Sequence, residues 1–445
     1  LQTRTKQAFV TYSCFLIMHF DTLKEWLHWQ EGLHPQSIDL GLHRAKKVYH
    51  ALNPQKKQPI TITVAGTNGK GSTVAFLEAI YRAQGLKVGS YTSPHILKYN
   101  ERIKINGQVV SDETLCHSFE RIEAARNDTS LSYFEFSTLA ALDIFSRSDL
   151  DIQLLEVGLG GRLDAVNIID ADASIITSIC IDHTDWLGDT RMAIAAEKAG
   201  VFRSHCPAIV GDIDPPISLI ESAQKINAQL LLINHDFSYH KSTHHWNWQG
   251  TTTQLNDLPH PNIKGEHQYR NASIALMAAQ SLQSKISVSA KAIHSGLANA
   301  QISGRFQLIK TKDNAPILLD VSHNPQAAQA LLDYLNTEFS ELPVYALFTM
   351  MSDKDMQAVV ELMQPKIKHW FISPLDNPRT TAEDDIKTTF KQCNIKQVST
   401  GFVDFSKTFA AATAKTNKNK GLLVIFGSFF LVSEYLAQAS HKKEA

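Results

Sequence analysis

The sequence predicts an α/β fold in two domains: an N-terminal P-loop-type domain with a mainly parallel sheet, and a C-terminal Rossmann-like domain. Three observations predict it. Strand-length apolar runs alternate with helix-spaced patterns along most of the chain. The alternation restarts after a hinge-like stretch, Gln301-Ile-Ser-Gly-Arg-Phe306. At 445 residues the chain is also longer than one ordinary core fills.

The first strand, 60–64, runs into a turn carrying Gly66, Gly69, Lys70, Gly71, Ser72 and Thr73. Val74, Leu77, Ile80 and Tyr81 then recur at helical spacing and predict a helix over 72–84. Glycines let backbone N–H groups converge, and a helix start adds positive dipole. The turn therefore suits phosphate oxygens, with Lys70 as a point charge. Its spacing departs from the usual phosphate loop, which places four residues before the Gly-Lys pair. A glycine-rich turn without a ligand is the alternative.

Further strands are predicted at 87–91, 152–157, 174–181 and 207–211, with helices at 112–126, 133–147 and 190–200. Residues 229–262 change character. Rich in His, Trp, Asn and Thr, they read as a small antiparallel flap or long excursion. The pair His244-His245 has no third ligand nearby and reads as a solvent-facing loop. A helix at 267–283 and the segment 293–300 lead to the hinge. Beyond it come strands at 316–321, 343–349, 368–373, 395–399 and 422–427, and helices at 325–337, 353–364, 381–391 and 404–414.

Charge and cysteine usage narrow the function classes. A net charge of −1, from 43 basic and 44 acidic residues, gives no drive toward nucleic acid or an anionic membrane. Cys14, Cys116, Cys180, Cys206 and Cys393 are scattered, with no Cys-x-x-Cys pair. That suits a reducing cytoplasm and excludes a cysteine zinc site. The apolar stretch 9–20 is too short and polar to span a bilayer, and no signal-peptide cleavage site follows it. The sequence opens on Leu1, so a start at Met18 would make residues 1–17 a non-native or disordered extension.

Ligands of open α/β sheets bind beyond the carboxyl ends of strands. Polar clusters fall there at Tyr91-Thr-Ser-Pro-His95, Leu155 to Asp164, and Ile181-Asp-His-Thr-Asp185. Glu156 lies inside an apolar strand, where a bare carboxylate is costly unless a cation compensates. Magnesium beside phosphate is one partner, with Ser93 adding a hydroxyl; an ion pair with Arg162 is the other. His183 reads equally as a structural residue or a ligand. Lys198, late in a helix, reads simply as a charge favourable to the dipole. In the second half, Arg305 lies in the hinge, where closure would bring it onto phosphate. Asp320 ends a strand, as acids that meet ribose do, and Ser322-His323-Asn324-Pro325 follows as a helix start. Phe426-Gly427-Ser428 is another strand-end turn. A hinge salt bridge, a helix cap and a tight turn are the structural alternatives for these three.

Together these motifs resemble the folylpolyglutamate synthase/dihydrofolate synthase family of Mur-type, ATP-dependent amide ligases. The resemblance runs from about Leu33 to Glu434. It rests on Val64-Ala-Gly-Thr-Asn-Gly-Lys-Gly-Ser72, Thr92-Ser-Pro-His95, Glu156-Val-Gly-Leu-Gly-Gly-Arg-Leu-Asp-Ala165, Asp182-His-Thr-Asp-Trp-Leu-Gly188, Glu197-Lys-Ala-Gly200, Gly304-Arg-Phe306, Asp320-Val-Ser-His-Asn-Pro325 and Gly427-Ser-Phe429. Ile38 to Arg44 and Ser132 to Phe136 resemble the bifunctional bacterial branch, which also takes dihydropteroate. Ser322 departs from relatives with a small apolar residue there, and the stretch before Met18 has no counterpart.

The resemblance implies ATP phosphates on Gly69, Lys70, Gly71 and Ser72, and further ATP contacts from Asn271, Arg305 and Asp320. It implies two magnesium ions on Ser93, Glu156, His183 and Lys198, with Lys198 carbamylated by CO₂. That replaces the plainer reading of Lys198. It admits a potassium ion. Catalytic roles fall to Lys70, Lys198, Arg305 and His323. Asp39, Leu40, Gly41, Leu42, Ser132, Tyr133, Phe134, Glu135, Leu163, Asp164 and Ala165 would form the pterin pocket. Domain limits follow as 18–300 for ATP and pterin and 301–445 for the C-terminal ligase domain. The implied reaction joins L-glutamate to dihydropteroate, and to tetrahydrofolate as γ-linked glutamates, in a cytoplasmic monomer. A folylpolyglutamate synthase acting on folate alone, another Mur-type ligase, a nucleotide-binding switch and a plain ATPase or kinase are the competing readings.

Overall fold

The structure is a computed structural model that describes residues 20–36, 38–52, 58–310 and 314–444. The expectation about residues 1–17 and Met18 lies outside the described residues.

Eight strands form the first sheet: β1 (Ile60–Ala65), β2 (Val88–Tyr91), β3 (Ile103–Ile105), β4 (Gln108–Val109), β5 (Ile152–Glu156), β6 (Ala173–Ile176), β7 (Pro207–Val210) and β8 (Gln229–Leu232). Their order is β4-β3-β2-β5-β1-β6-β7-β8. The pairs are parallel except β2–β3 and β3–β4. The central strands are buried on both faces, which explains their continuous apolar runs. One face is covered by helices Asp112–Arg126 and Tyr133–Ser146, the other by Lys70–Ala83, His267–Ser281 and Ala290–Asn299.

β1 lies between β5 and β6, with Val64 beside Glu156 in the ladder. The phosphate-loop candidate therefore leaves the sheet next to the Glu156 tip. The β6 strand is shorter than predicted; residues 177–183 leave the sheet and cross toward the loop. There Thr67 N–H donates to the Ser178 carbonyl at 2.8 Å.

The region 229–262 divides. β8 is a parallel edge strand of the main sheet, and only β9 (Ser238–Lys241), β10 (Trp246–Gln249) and β11 (Gln254–Leu258) form the antiparallel flap. Its tryptophans are core: Trp246 and Trp248 are fully buried, and Trp248 Nε1 donates to Ser273 Oγ at 3.0 Å.

The second sheet contains β12 (Gln307–Ile309), β13 (Ile317–Leu319), β14 (Val344–Phe348), β15 (Ile367–Ile372), β16 (Val398–Ser399) and β17 (Leu422–Phe426), in the order β12-β13-β17-β14-β15-β16. Only β12 runs antiparallel to its neighbour. The chain crosses between the sheets at 300–306, where the hinge was read.

Candidate active site

A cavity of about 570 Å³ lies where the strand tips of the two sheets face each other. Gly69, Lys70, Gly71, Ser72, Ser93, Glu156, His183 and Lys198 line it from one side, with Asn271 on the helix that covers the loop. Arg305, Asp320 and His323 line it from the other. The residues read as nucleotide, metal and catalytic positions thus share one space.

The loop is built tightly. Gly66 has φ +137°, and a Cβ there would lie 1.9 Å from Thr177 Oγ1. Gly69, at φ +91°, caps helix Lys70–Ala83, and a Cβ on it would meet Asn271 Oδ1 at 2.6 Å. Lys70 folds back along the loop, donating to the carbonyls of Gly66 at 3.0 Å and Thr67 at 3.1 Å. Lys198, 5% exposed, reaches the same Gly66 carbonyl at 3.1 Å. Burial, then the Lys70 charge, pushes Lys198 down to about 7.

Glu156 is 5% exposed and accepts the Ser93 N–H at 3.2 Å. Among the described residues no cation pairs with it directly, so its burial raises its pKa, with the Lys70 charge opposing. Arg162, the alternative partner read from sequence, pairs instead with Glu197 at 2.7 Å on the surface. A buried carboxylate with one backbone donor retains acceptor capacity for a cation. Ser93 beside it also brings a hydroxyl, and a carboxylate with a hydroxyl is an oxygen set that fits magnesium. His183, held left-handed at φ +54°, starts the short helix Thr184–Leu187. Burial, opposed by Asp182, holds its imidazole down at about 4, so it is neutral at pH 7, with Nε2 facing Lys354 Nζ at 3.4 Å. The pair His244-His245 lies in the flap, His245 only 3.3 Å from Asp257. Among the described residues no cluster of three or more His, Cys, Asp or Glu forms a ready-made metal site.

From the second sheet, Arg305 stacks over the Phe429 ring at 5.0 Å. Asp320 accepts from the N–H groups of Phe306 (3.2 Å) and Ser322 (2.9 Å), so it also holds the hinge. Four residues were not singled out from the sequence: Asp182, Lys354, Asn68 and Gln326. Lys354 Nζ lies 2.6 Å from Asp182 Oδ1, a buried pair between the sheets. Burial raises the Asp182 carboxyl, but its hydrogen bond to His323 and the Lys354 charge hold it well below the usual range. Asn68 Nδ2 donates to Asn324 Oδ1 (3.1 Å) and Gln326 Oε1 (2.7 Å). Asp182 sits in a quoted motif, but its partner lies 172 residues on. No local signal marks such a pair.

The pterin set does not line this cavity; it gathers beside it. Asp39 pairs with Arg44 at 2.6 Å and with His34 at 3.1 Å, and Arg44 reaches Glu135 at 3.1 Å. Leu40, Gly41, Leu42 and Tyr133 are half-buried. Ser132 and Glu135 form a capping box on helix Tyr133–Ser146. The short helix Ala165–Ile168, following Leu163 and Asp164, packs on helices His43–Ala51 and Tyr133–Ser146, which joins the three segments. Two contacts lead on to the cavity. Phe134 fills the space a Cβ on Gly158 would need, 2.5 Å away. Asp164 accepts from the N–H groups of Gly158 and Leu159. Burial pushes Asp164 up to about 6 against these donors.

Comparison with known proteins adds an independent line. Residues 64–279 match the Mur ligase middle domain, and residues 304–429 match the Mur ligase, glutamate ligase domain. The chain is 39% identical over 420 residues to the dihydrofolate synthase/folylpolyglutamate synthase of Escherichia coli (strain K12), covering 93% of this chain and 94% of that protein. It superposes on E. coli FolC in complex with DHPP and ADP with a TM-score of 0.89, at 38% identity, over 95% of this chain and 99% of the other. A bifunctional folylpolyglutamate synthase/dihydrofolate synthase from Yersinia pestis, complexed with AMPPNP and Mn ion, gives 0.85 at 40% identity, over 94% and 98%.

Proposed function

The chain belongs to the dihydrofolate synthase/folylpolyglutamate synthase family of Mur-type ligases, and from that premise we propose how its own residues carry the reaction. It is an ATP-dependent carboxylate–amine ligase that joins L-glutamate to 7,8-dihydropteroate and to the γ-carboxylate of tetrahydrofolate. The observation that carries the residue assignment is the meeting of the phosphate loop, Glu156 and Lys198 in one cavity lined from both sheets.

A carboxylate is a poor electrophile. Its oxygen attacks the γ-phosphorus of ATP, the bond to ADP breaks, and an acyl phosphate forms. The glutamate amine then attacks the acyl carbon, gives up a proton, and phosphate leaves. The N–H groups of Gly69 to Ser72 bind the phosphates, and Lys70 swings from the loop carbonyls to the terminal phosphate. Arg305 adds a second cation from the opposite domain. Asn271 and Asp320 hold the rest of the nucleotide, and His323 faces the reacting end. Ser93, Glu156, His183 and Lys198 as its carbamate would hold two magnesium ions, which when bound neutralise phosphate charge. A potassium ion belongs to the same proposal. Asp39 to Leu42, Ser132 to Glu135, and Leu163 to Ala165 hold the pterin end of the acceptor. Closure of 301–445 over 18–300 excludes water from the acyl phosphate. The reading assigns the protein to the cytoplasm as a monomer. The scattered cysteines suit that compartment, and no helix among the described residues is long and apolar enough to cross a membrane.

The test is product analysis. With ATP, Mg²⁺, glutamate and either dihydropteroate or tetrahydrofolate, ADP, phosphate and a product one glutamyl unit heavier should form in equal amounts. Phosphate release only with a nucleotide-sugar peptide would move the chain to cell-wall ligation, and ADP without an amide product would make it an ATPase.

A further inference from the structure

We propose that Arg102 is the carboxylate receptor that separates the two acceptors: it binds the non-reacting α-carboxylate of a γ-glutamyl-tailed folate, a group dihydropteroate lacks. The proposal rests on the ligase reading above.

Arg102 ends the short helix Tyr99–Arg102 and lines the cavity, yet is 8% exposed. Its Nε donates to His95 Nδ1 at 2.9 Å. Its guanidinium lies 5.5 Å from the Tyr99 ring and 5.7 Å from the Tyr133 ring. These contacts fix the plane of the fork and leave it without an anion. Among the described residues no carboxylate forms an ion pair with Arg102. Its chain neighbour Glu101 is turned away, accepting the N–H groups of Ile96, Leu97 and Lys98. A buried cation with no carboxylate in direct contact is costly to hold, and what enters the cavity can supply one.

Position and chemistry narrow that anion. Arg102 lines the same cavity as Glu156, and its guanidinium lies 5.7 Å from the ring of Tyr133 of the pterin set. The acid end of an acceptor lies there when its ring system is held by the pterin set. Two guanidinium N–H groups on the reacting carboxylate would withdraw the electron density it needs to attack phosphorus. The same bidentate grip on the neighbouring α-carboxylate costs the reaction nothing.

The experiment compares wild type, Arg102→Lys and Arg102→Met under steady-state conditions with Mg²⁺, ATP and glutamate. Three acceptors are used: dihydropteroate, tetrahydrofolate, and a tetrahydrofolate analogue whose α-carboxylate is a carboxamide. Arg102→Met should raise KM for tetrahydrofolate roughly 10- to 100-fold, the value of a lost charge-assisted pair, with a loss on dihydropteroate about an order of magnitude smaller. Arg102→Lys should recover part of the difference. Wild type should discriminate against the carboxamide, and Arg102→Met should not. Equal losses on both acceptors, or a wild type indifferent to the carboxamide, overturns the proposal. If Arg102→Met does not fold, Arg102→Lys and the analogue on wild type decide. A wild type inactive with both acceptors ends the ligase reading itself; an active one whose variants do not separate them ends only the role of Arg102.

Discussion

Lys70 and Lys198 donate to one and the same acceptor, the carbonyl oxygen of Gly66, at 3.0 and 3.1 Å. Two buried ammonium groups on one carbonyl repel each other. Burial and that repulsion leave Lys198 near 7, so a neutral amine is present at physiological pH. The neutral amine is the form that takes up CO₂, and a carbamate would replace repulsion from Lys70 with attraction. Lys198→Ala should therefore lose activity by about 100-fold or more, as removal of transition-state charge stabilisation does. A short carboxylate in solution should restore part of it. ¹³C NMR of protein equilibrated with labelled CO₂ should show a carbamate in wild type that the variant lacks. Full activity in Lys198→Ala removes the carbamate from the mechanism.

The same shift makes a stability prediction for the unmodified protein. The folded value of about 7 lies below the 10.5 of a free lysine, so the unfolded chain binds more protons across that interval. Stability should rise with pH through the window, and the penalty is complete below pH 7. Lys198→Met should thus melt above wild type near about pH 6 in CO₂-free buffer, with the gap closing as pH approaches about 10. A gap that does not change with pH assigns the effect to packing.

Among the described residues, the one donor to the Glu156 carboxylate is the Ser93 N–H, 3.2 Å away. Glu156→Ala should raise the magnesium concentration for half-maximal activity by roughly tenfold or more. Manganese titration calorimetry should show the matching loss of affinity. An unchanged requirement leaves Glu156 as a counter-charge to Lys70 and Arg305.

The parts of the fold legible in sequence were those carried by local pattern. The run 60–64 into Gly66 and Gly69 specified a strand, a turn and a helix start, and all three are present, the strand one residue longer. Glu156 was legible because a carboxylate in an apolar strand violates burial rules. The flap showed its polar composition but not that Trp246 and Trp248 are core, since burial there comes from the helix carrying Ser273. β8 was hidden for a similar reason: Gln229–Leu232 is too short to show a period, and only its partner β7 makes it a strand. The Asp182–Lys354 pair was invisible because distance along the chain carries no signal of contact.

Gly66 tests how rigid the loop must be. Its φ of +137° is strained for any residue with a Cβ, and that Cβ would lie 1.9 Å from Thr177 Oγ1 and 2.9 Å from the Thr177 backbone nitrogen. Side-chain rotation relieves the first clash but not the second. Gly66→Ala should weaken ADP binding by roughly tenfold or more in calorimetry and lower the melting temperature, the cost of a forced backbone shift being about 1–3 kcal/mol. Wild-type ADP affinity in this variant would show that the loop tolerates displacement.

The Asp182–Lys354 pair bears on closure. Its side chains are 10% and 6% exposed and 2.6 Å apart. Asn68 bridges the same gap to Asn324 and Gln326. Removing Lys354 leaves the buried Asp182 charge without its cation and with only the His323 and Asn324 side chains, a cost of up to about 3–5 kcal/mol, whereas removing both costs less. The chain can escape the single-mutant cost by opening the cleft and hydrating the remaining charge. Lys354→Met alone should therefore increase the radius of gyration of the nucleotide-free protein in small-angle scattering. Lys354→Met with Asp182→Asn should return part of the way to wild type. Saturating ATP analogue should close the single variant by supplying bridging contacts through Lys70 and Arg305. Identical scattering from wild type and Lys354→Met would mean that the pair follows closure and does not drive it, and a double variant as open as the single one would assign the effect to lost packing of the Lys354 stem.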